Sequence, residues 1–281
     1  MIFVTGSTGN VGSAVTSCLR GRHIRFRIGA RKPDTIRPLD NVEVVEFDFL
    51  NPSTFQSAVR GCDAVFLLRP PAISDTKATL NPFLDVARNE GVRQVVFVSV
   101  AGAAHNPLVP HHAVEQHLQR GPEGWTIVRP GFFAQNLGDA YRDDIVRDHR
   151  LFVPAGAGRA AFVDVRDVAH IAVDALVDPA THTGQAYTLT GPEALSFSDA
   201  AAILSSELSH SIRYQPATIP AYFFHLRRRG MPLGQVLVQT VLHVGLRFGQ
   251  ANTIDQTLER LLGHRPRTLR EYVRDHRRLW M

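Results

Sequence analysis

Short apolar runs alternate with amphipathic stretches along the first half of the chain. The runs Ile2–Thr5, Ile24–Gly29, Val42–Glu46, Ala64–Leu68, Gln94–Val98 and Trp125–Arg129 are rich in β-branched and aromatic residues, which predicts strands. Between them, apolar positions recur at helical spacing in Val11–Arg20, Ser53–Arg60, Thr79–Asn89 and His112–Arg120. Strands that are apolar throughout are buried on both faces, so the pattern predicts an α/β fold with a parallel sheet covered by helices on either side. Right-handed crossovers wind such a sheet both ways and place a ligand cleft at the carboxyl ends of its strands.

After Arg129-Pro130-Gly131 the rhythm changes. Short strands at Ala161–Val165 and Ala186–Thr190 sit among loops, followed by helices at Ser198–Leu208, Ala221–Arg229, Leu233–Phe248, Thr253–Leu262 and Thr268–Leu279. The expected organisation is a sheet domain over residues 1–150 and a smaller, mixed but mostly helical lobe over 151–281, with some of its sheet elements returning to the first domain. The apolar stretch from Val236 to Leu246 is interrupted by Gln239 and His243, and reads as a buried helix rather than a membrane span. Phe132, Phe133, Phe223, Phe224 and Trp125 read mainly as core. Phe132, Phe133 and Phe223 are the candidates for an apolar wall against a flat substrate.

The first strand runs directly into Thr5-Gly6-Ser7-Thr8-Gly9-Asn10-Val11-Gly12, with glycines at Gly-x-x-Gly-x-x-Gly spacing, and then into a helix. That order suits a dinucleotide pyrophosphate: glycines permit a tight turn and close backbone approach, and the helix N-terminus presents amide hydrogens to the anion. An NAD site places an acidic residue at the end of the second strand. Here the strand meets Ala30-Arg31-Lys32-Pro33, with no carboxylate until Asp34. Two adjacent cations favour a ribose 2′-phosphate, hence NADP(H) over NAD(H). Asp48 and Phe49, past the third strand, are expected beside the adenine. Leu67, Leu68 and Arg69 end the fourth strand, and Ser99, Val100 and Ala101 end the fifth; these two ends are expected to flank the ribose and nicotinamide.

Composition narrows the class. Hydrophobic residues make up 44% and charged residues 20% of 281 positions, as in globular proteins. Cys18 and Cys62 lie far apart, and no His, Cys, Asp or Glu cluster has metal-ligand spacing, so no metal is expected. The net charge of +5 resides almost entirely in arginine, with clusters at Arg227-Arg228-Arg229 and from His264 to Arg278. Arg267, Arg270, Arg274 and Arg278 recur at helical spacing and read as a solvated face, so no nucleic-acid partner is expected. Neither is a membrane partner. The chain is expected to be cytoplasmic, to act on a small molecule, and to be a monomer or homodimer.

The glycine loop in the form Thr-Gly-x-Thr-Gly-x-x-Gly, together with Gly91-Val92-Arg93-Gln94-Val95-Val96-Phe97-Val98-Ser99, resembles the NmrA-like group of atypical short-chain dehydrogenase/reductases. So do Arg129-Pro130-Gly131-Phe132-Phe133-Ala134-Gln135-Asn136, Val163-Asp164-Val165-Arg166-Asp167-Val168-Ala169 and Tyr187-x-Leu189-Thr190-Gly191-Pro192-Glu193. That group includes NADPH-dependent quinone, triphenylmethane and ergot-type iminium reductases, as well as redox-sensing regulators. The resemblance implies a Rossmann domain with a smaller lobe that shapes the substrate pocket. It implies that Gly6, Thr8, Gly9, Asn10, Val11 and Gly12 form the phosphate loop. It also implies that Arg31 and Lys32 contact the 2′-phosphate, and that Pro130, Gly131 and Phe132 lie near the nicotinamide amide.

One departure bears on chemistry. Typical short-chain dehydrogenases carry Tyr-x-x-x-Lys on the helix after the fifth strand, where the Tyr protonates the substrate oxygen. The tyrosines here are 141, 187, 214, 222 and 272, the lysines are 32 and 77, and none stand in that spacing. The matching positions hold His111 and Glu115. His111 or His112 is the candidate proton donor, since imidazole titrates near neutrality; Glu115 reads as structural. The expected activity is hydride transfer from NADPH to an electron-poor conjugated acceptor of quinone, iminium or enone type. The alternative is an NADP(H)-sensing regulator without turnover.

Overall fold

A computed structural model of the chain describes residues 1–36, 41–122 and 124–281. It resolves into two units, Met1–Pro130 with Val165–Leu189, and Gly131–Asp164 with Thr190–Met281. The expected boundary near residue 150 therefore moves to Pro130, and the segment from Val165 to Leu189 returns to the first unit to supply a helix and an edge strand.

In the first unit, the strands β1 (Ile2–Val4), β2 (Phe26–Ala30), β3 (Val42–Glu46), β4 (Ala64–Leu68), β5 (Gln94–Val98), β6 (Trp125–Pro130) and β10 (Gln185–Leu189) form one parallel sheet in the order β10-β6-β5-β4-β1-β2-β3. The chain winds outward from β1 through β2 to β3, then crosses back to β4 on the other side of β1 and winds the other way, so the strand order reverses beside β1. This crevice is where a doubly wound sheet accepts a ligand. Thr5 stitches it: its Oγ1 donates to the Phe66 carbonyl at 3.1 Å and accepts from the Leu68 amide at 2.8 Å.

The helices of this unit are α1 (Asn10–Gly21), α2 (Phe55–Val59), α3 (Leu80–Asn89), α4 (Pro110–Arg120), α6 (Val165–Val177) and the short α7 (Pro179–His182). Central strands alternate side chains between two dry faces. Phe3, Val65, Leu67, Val95, Phe97 and Ile127 join Leu80, Phe83, Leu84, Val114 and Leu118 in one buried cluster. On the other side α1 and α6 pack together, and α6 lies on β4, β5 and β6. At one end of the cluster Phe3, Phe47, Phe49, Phe55 and Phe83 meet largely edge to face, with centroids 4.8 to 6.0 Å apart.

The second unit holds α5 (Arg142–Asp148), α8 (Phe197–Leu208), α9 (Ile219–Arg228), α10 (Leu233–Leu246), α11 (Thr257–Leu262) and α12 (Leu269–Asp275). Its small sheets are β11 (Ala194–Ser196), β9 (Arg159–Val163) and β7 (Phe132–Phe133) in that order, and β12 (Arg213–Tyr214) with β8 (Arg150–Leu151). Reciprocal capping boxes open α8, through Ser196 and Asp199, and α12, through Thr268 and Glu271. The core gathers Tyr141, Phe162, Phe197, Leu204, Tyr222, Tyr272 and Trp280.

Two expectations about this unit change. Phe224, read as core, is 60% exposed. The apolar stretch from Val236 to Leu246 does form a helix, but it is not buried throughout: Leu237, Val238, Val241 and Leu242 face outward. The physical reason is that α10 has apolar residues on all sides, and the unit covers only the side carrying Val236, Thr240, His243 and Leu246.

Candidate cofactor-binding site

A cleft of about 890 Å³ opens at the sheet crossover of the first unit. Its walls are the loop Gly6–Gly9, the end of β2 through Lys32, residues Phe47–Leu50, and the segment from Leu68 to Ile73. Gly6 has φ of +65°, a left-handed conformation that favours glycine, and a side chain there would run into Leu68. A Cβ on Gly12 would meet the Gly6 carbonyl oxygen at 2.0 Å. The third glycine is therefore required for the helix to start so close under the loop. The N-cap of α1 is Gly9, which offers no side-chain cap, and the first turn carries no acidic residue. An uncapped helix start with positive dipole, closed off by a bare backbone loop, fits a diphosphate.

Arg31 and Lys32 both line the cleft and are exposed, and the short 3-10 turn Pro33–Thr35 that follows is fastened by Thr35 Oγ1 donating to the Lys32 carbonyl at 2.7 Å. Gly29, on β2 just before them, also lines the cleft; a Cβ there would press on Phe3 and Phe47. Asp48 and Phe49 also line the cleft. The Asp48 carboxylate accepts from the Leu50 amide at 3.0 Å, and Phe49 is held edge-on by Phe47 and Phe83. The phenylalanine cluster thus sets the shape of this wall, and that role was not legible in the motif.

Leu68 and Arg69 line the opposite wall. Leu67 does not: it points into the core, as the alternation along β4 requires. The Arg69 guanidinium is half buried. It donates to the carbonyls of Pro70, Pro71 and Ile73, at 3.1, 3.3 and 2.5 Å, and its Nε donates to His111 Nε2 at 3.2 Å. It therefore shapes the loop after β4. Pro70 and Pro71, which the sequence places in a stiff loop at the end of the fourth strand, line the cleft together with Ala72 and Ile73, which no sequence signal marked.

His111 is buried, and burial, reinforced by the Arg69 charge, pushes its pKa down to about 3. Its Nε2 accepts from Arg69, which leaves the ring proton on Nδ1. A neutral imidazole of this kind is a poor general acid near neutral pH, which corrects the expectation for His111. His112 donates from Nδ1 to the Ala103 carbonyl at 2.8 Å and is tied to the loop before α4. Glu115 is fully buried, and it accepts from Ser99 Oγ at 2.5 Å and from Arg129 through two bonds of 3.0 and 2.6 Å. Ser99 is thus turned into this closed network. Val100 is half-buried, Ala101 is exposed with its amide on the Pro130 carbonyl, and none of the three lines the cleft. Pro130 ends the first unit and Gly131 begins the second.

In the second unit, the half-buried Phe132 packs edge-on to Phe162 and to His243, at centroid distances of 5.3 and 6.2 Å. Phe133 is half-buried on β7, and Phe223 is half-buried against the core beside Phe224. His243 is enclosed: Tyr141 Oη donates to its Nε2, and its Nδ1 donates to the Gln239 carbonyl at 2.6 Å. Burial lowers the His243 pKa to about 4 and raises that of Tyr141. The two residues lie 102 positions apart, and no local pattern announces the pair.

Among the described residues no group of side chains could hold a metal ion, and no helix is long and apolar enough to cross a membrane.

A family model described as NAD(P)H-binding matches residues 6–179. The chain is 30% identical to an oxidoreductase of Bacillus subtilis (strain 168), "Uncharacterized oxidoreductase YesF", over 99% of this chain and 96% of that protein. It is also 30% identical to the NAD(P)H azoreductase of Xenophilus azovorans, over 98% of each. Among solved structures, the triphenylmethane reductase of Citrobacter sp., complexed with NADP(H), matches with a TM-score of 0.85 at 22% identity, covering 98% of this chain and 99% of the other. That likeness is one of fold, and it falls within the group that the motifs of this chain resemble.

Proposed function

Because the chain belongs to the NAD(P)H-binding family and has oxidoreductase relatives along its whole length, we propose that it is an NADPH-dependent reductase of electron-poor, conjugated small molecules of quinone, iminium or enone type. The supporting observation is a glycine cradle at the start of α1 that suits a dinucleotide diphosphate, in a unit where the candidate acid His111 is held neutral beside Arg69. When bound, the cofactor supplies a hydride from its nicotinamide ring.

The chain's own residues account for the rest. The Gly6–Gly12 turn and the start of α1 hold the diphosphate, and Arg31 and Lys32 favour an extra phosphate on the adenosine ribose. Arg69 orders the loop after β4, and His111 stays neutral beside it. Ketone reduction needs a proton donor at the developing alkoxide. Hydride addition to an iminium carbon gives an amine with no proton required, and a reduced quinone takes its proton from water. A scaffold that mainly aligns donor and acceptor serves those acceptors.

The test is NADPH oxidation followed by absorbance against quinones, iminium dyes, azo dyes and enones, with simple ketones as controls. Turnover is expected with the conjugated acceptors and not with the ketones. Tight NADPH binding with no turnover on any acceptor would overturn the reductase reading in favour of an NADP(H) sensor.

A further inference from the structure

The outward face of α10 carries Leu233, Leu237 and Val241 in one row at i, i+4 spacing, and Gly234, Val238 and Leu242 in the next. The five large residues among them are each more than half exposed, as are Phe224 on α9 and Phe248 just beyond α10. No residue from Gly230 to Leu246 is charged apart from what His243 can carry, and His243 is buried and points inward. An apolar patch of this kind marks an interaction surface.

Charge identifies the partner. Residues 208–254 contain five arginines, at 213, 227, 228, 229 and 247, and no Asp or Glu. Arg229 is spoken for by Asp143 and Asp144 of α5, and Arg247 donates to the Pro154 and Ala217 carbonyls. Arg213, Arg227 and Arg228 are exposed; Arg227 donates to the Met231 carbonyl at 2.7 Å, and among the described residues none of the three has a carboxylate partner. A second copy of the chain laid on this face by a two-fold axis would bring arginine rims together with no carboxylate in the segment to receive them. An anionic bilayer surface satisfies both features: its acyl boundary takes Leu and Val without needing polar contacts, and its headgroups take guanidinium groups.

We propose that the α9–α10 face docks the protein peripherally on anionic lipid. At 14 residues α10 is about 21 Å long, too short to span the hydrocarbon core, so it lies in the plane of the interface. This departs from the expectation of no membrane partner. It stands apart from the hydride chemistry, because it rests on residues that have no part in the cofactor cleft.

The experiment is cosedimentation of the full chain with vesicles of pure phosphatidylcholine and with vesicles also containing phosphatidylglycerol, at low and high salt. Partitioning onto the anionic vesicles is expected to exceed that onto neutral ones by about tenfold or more and to collapse in high salt. The Arg227→Gln/Arg228→Gln variant should lose about thirtyfold on anionic vesicles, at roughly fivefold per arginine. A Leu237→Gln/Val241→Gln variant should lose binding to both, with an unchanged thermal melt showing that it still folds. Equal partitioning on the two vesicle types, or none, would overturn the proposal. So would a dimer seen by light scattering that Leu237→Gln/Val241→Gln converts to a monomer, since the face would then belong to a second copy.

Discussion

The two units place their polar and apolar groups in opposite ways. In the first, the functional surface is bare backbone and exposed cations, and the apolar residues stand behind it as a phenylalanine cluster that holds the wall in shape. In the second, polar groups turn inward, with Tyr141 on His243 and with Asp144 receiving His225 and Arg229, while α10 shows leucine and valine to solvent. The first unit turns backbone amides and cationic side chains toward its cleft, the groups that an anionic ligand would need. The second spends hydrogen bonds on fixing its own interior and leaves an apolar face open. A site read from charge and glycine spacing alone would find the first surface and miss the second.

The largest expected effect tests the bare-backbone surface. Gly12→Val should weaken NADPH binding by more than about a hundredfold, because its Cβ would overlap the Gly6 carbonyl; calorimetric titration measures this. Gly9→Ala is the matched control, since its Cβ would meet the same oxygen at an ordinary 3.6 Å and should leave the melt unchanged. Next, Glu115→Ala strands the Arg129 guanidinium in the interior and should destabilise the fold by about 3–5 kcal/mol in urea unfolding. A smaller loss would mean that water reaches this network. Arg31→Ala/Lys32→Ala should cost about 1–3 kcal/mol of NADPH affinity while leaving NADH affinity within a factor of about two. Equal losses for both cofactors would remove these residues from the 2′-phosphate.

The buried histidines sharpen the comparison further, one in each unit. Their pKa values fall from 6.5 in the open chain to about 3 for His111 and about 4 for His243. Both are therefore protonated more readily when unfolded. Stability is full above pH 6.5 and declines as the pH falls toward 4 for His243 and toward 3 for His111. Each costs up to about 1.4 kcal/mol per pH unit within its window. Urea midpoints at a series of pH values should show this slope, and His243→Phe should roughly halve it between pH 6.5 and 4, leaving the His111 part. The smallest effect belongs to the outward face of α10: Leu237→Gln should change stability by no more than about 0.5 kcal/mol. A loss above about 2 kcal/mol would show that this face is covered in the folded protein.

Much of the cleft could be read in advance. The run into Gly6, the glycine spacing, and Arg31-Lys32 at the end of β2 are contiguous in the chain, and local rules connect each to its place. Leu67 shows the limit: its place in the chain groups it with Leu68 and Arg69, yet the strand alternation sends it to the opposite face. His111 was a reasonable acid by residue type, and only its burial against Arg69 removes the proton. Tyr141 and His243 carried no signal at all, because their meeting depends on how α5 and α10 pack.

The amino-acid sequence alone determined the strand and helix alternation, the parallel sheet and the phosphate turn, because each follows from periodicity or from glycine at fixed spacing over a few residues. Tertiary structure decided which unit Val165–Leu189 joins, which histidine nitrogen holds its proton, and which side of α10 stays uncovered. Those outcomes depend on contacts between segments distant in the chain, and burial and hydrogen bonding across such contacts are not written in any local pattern.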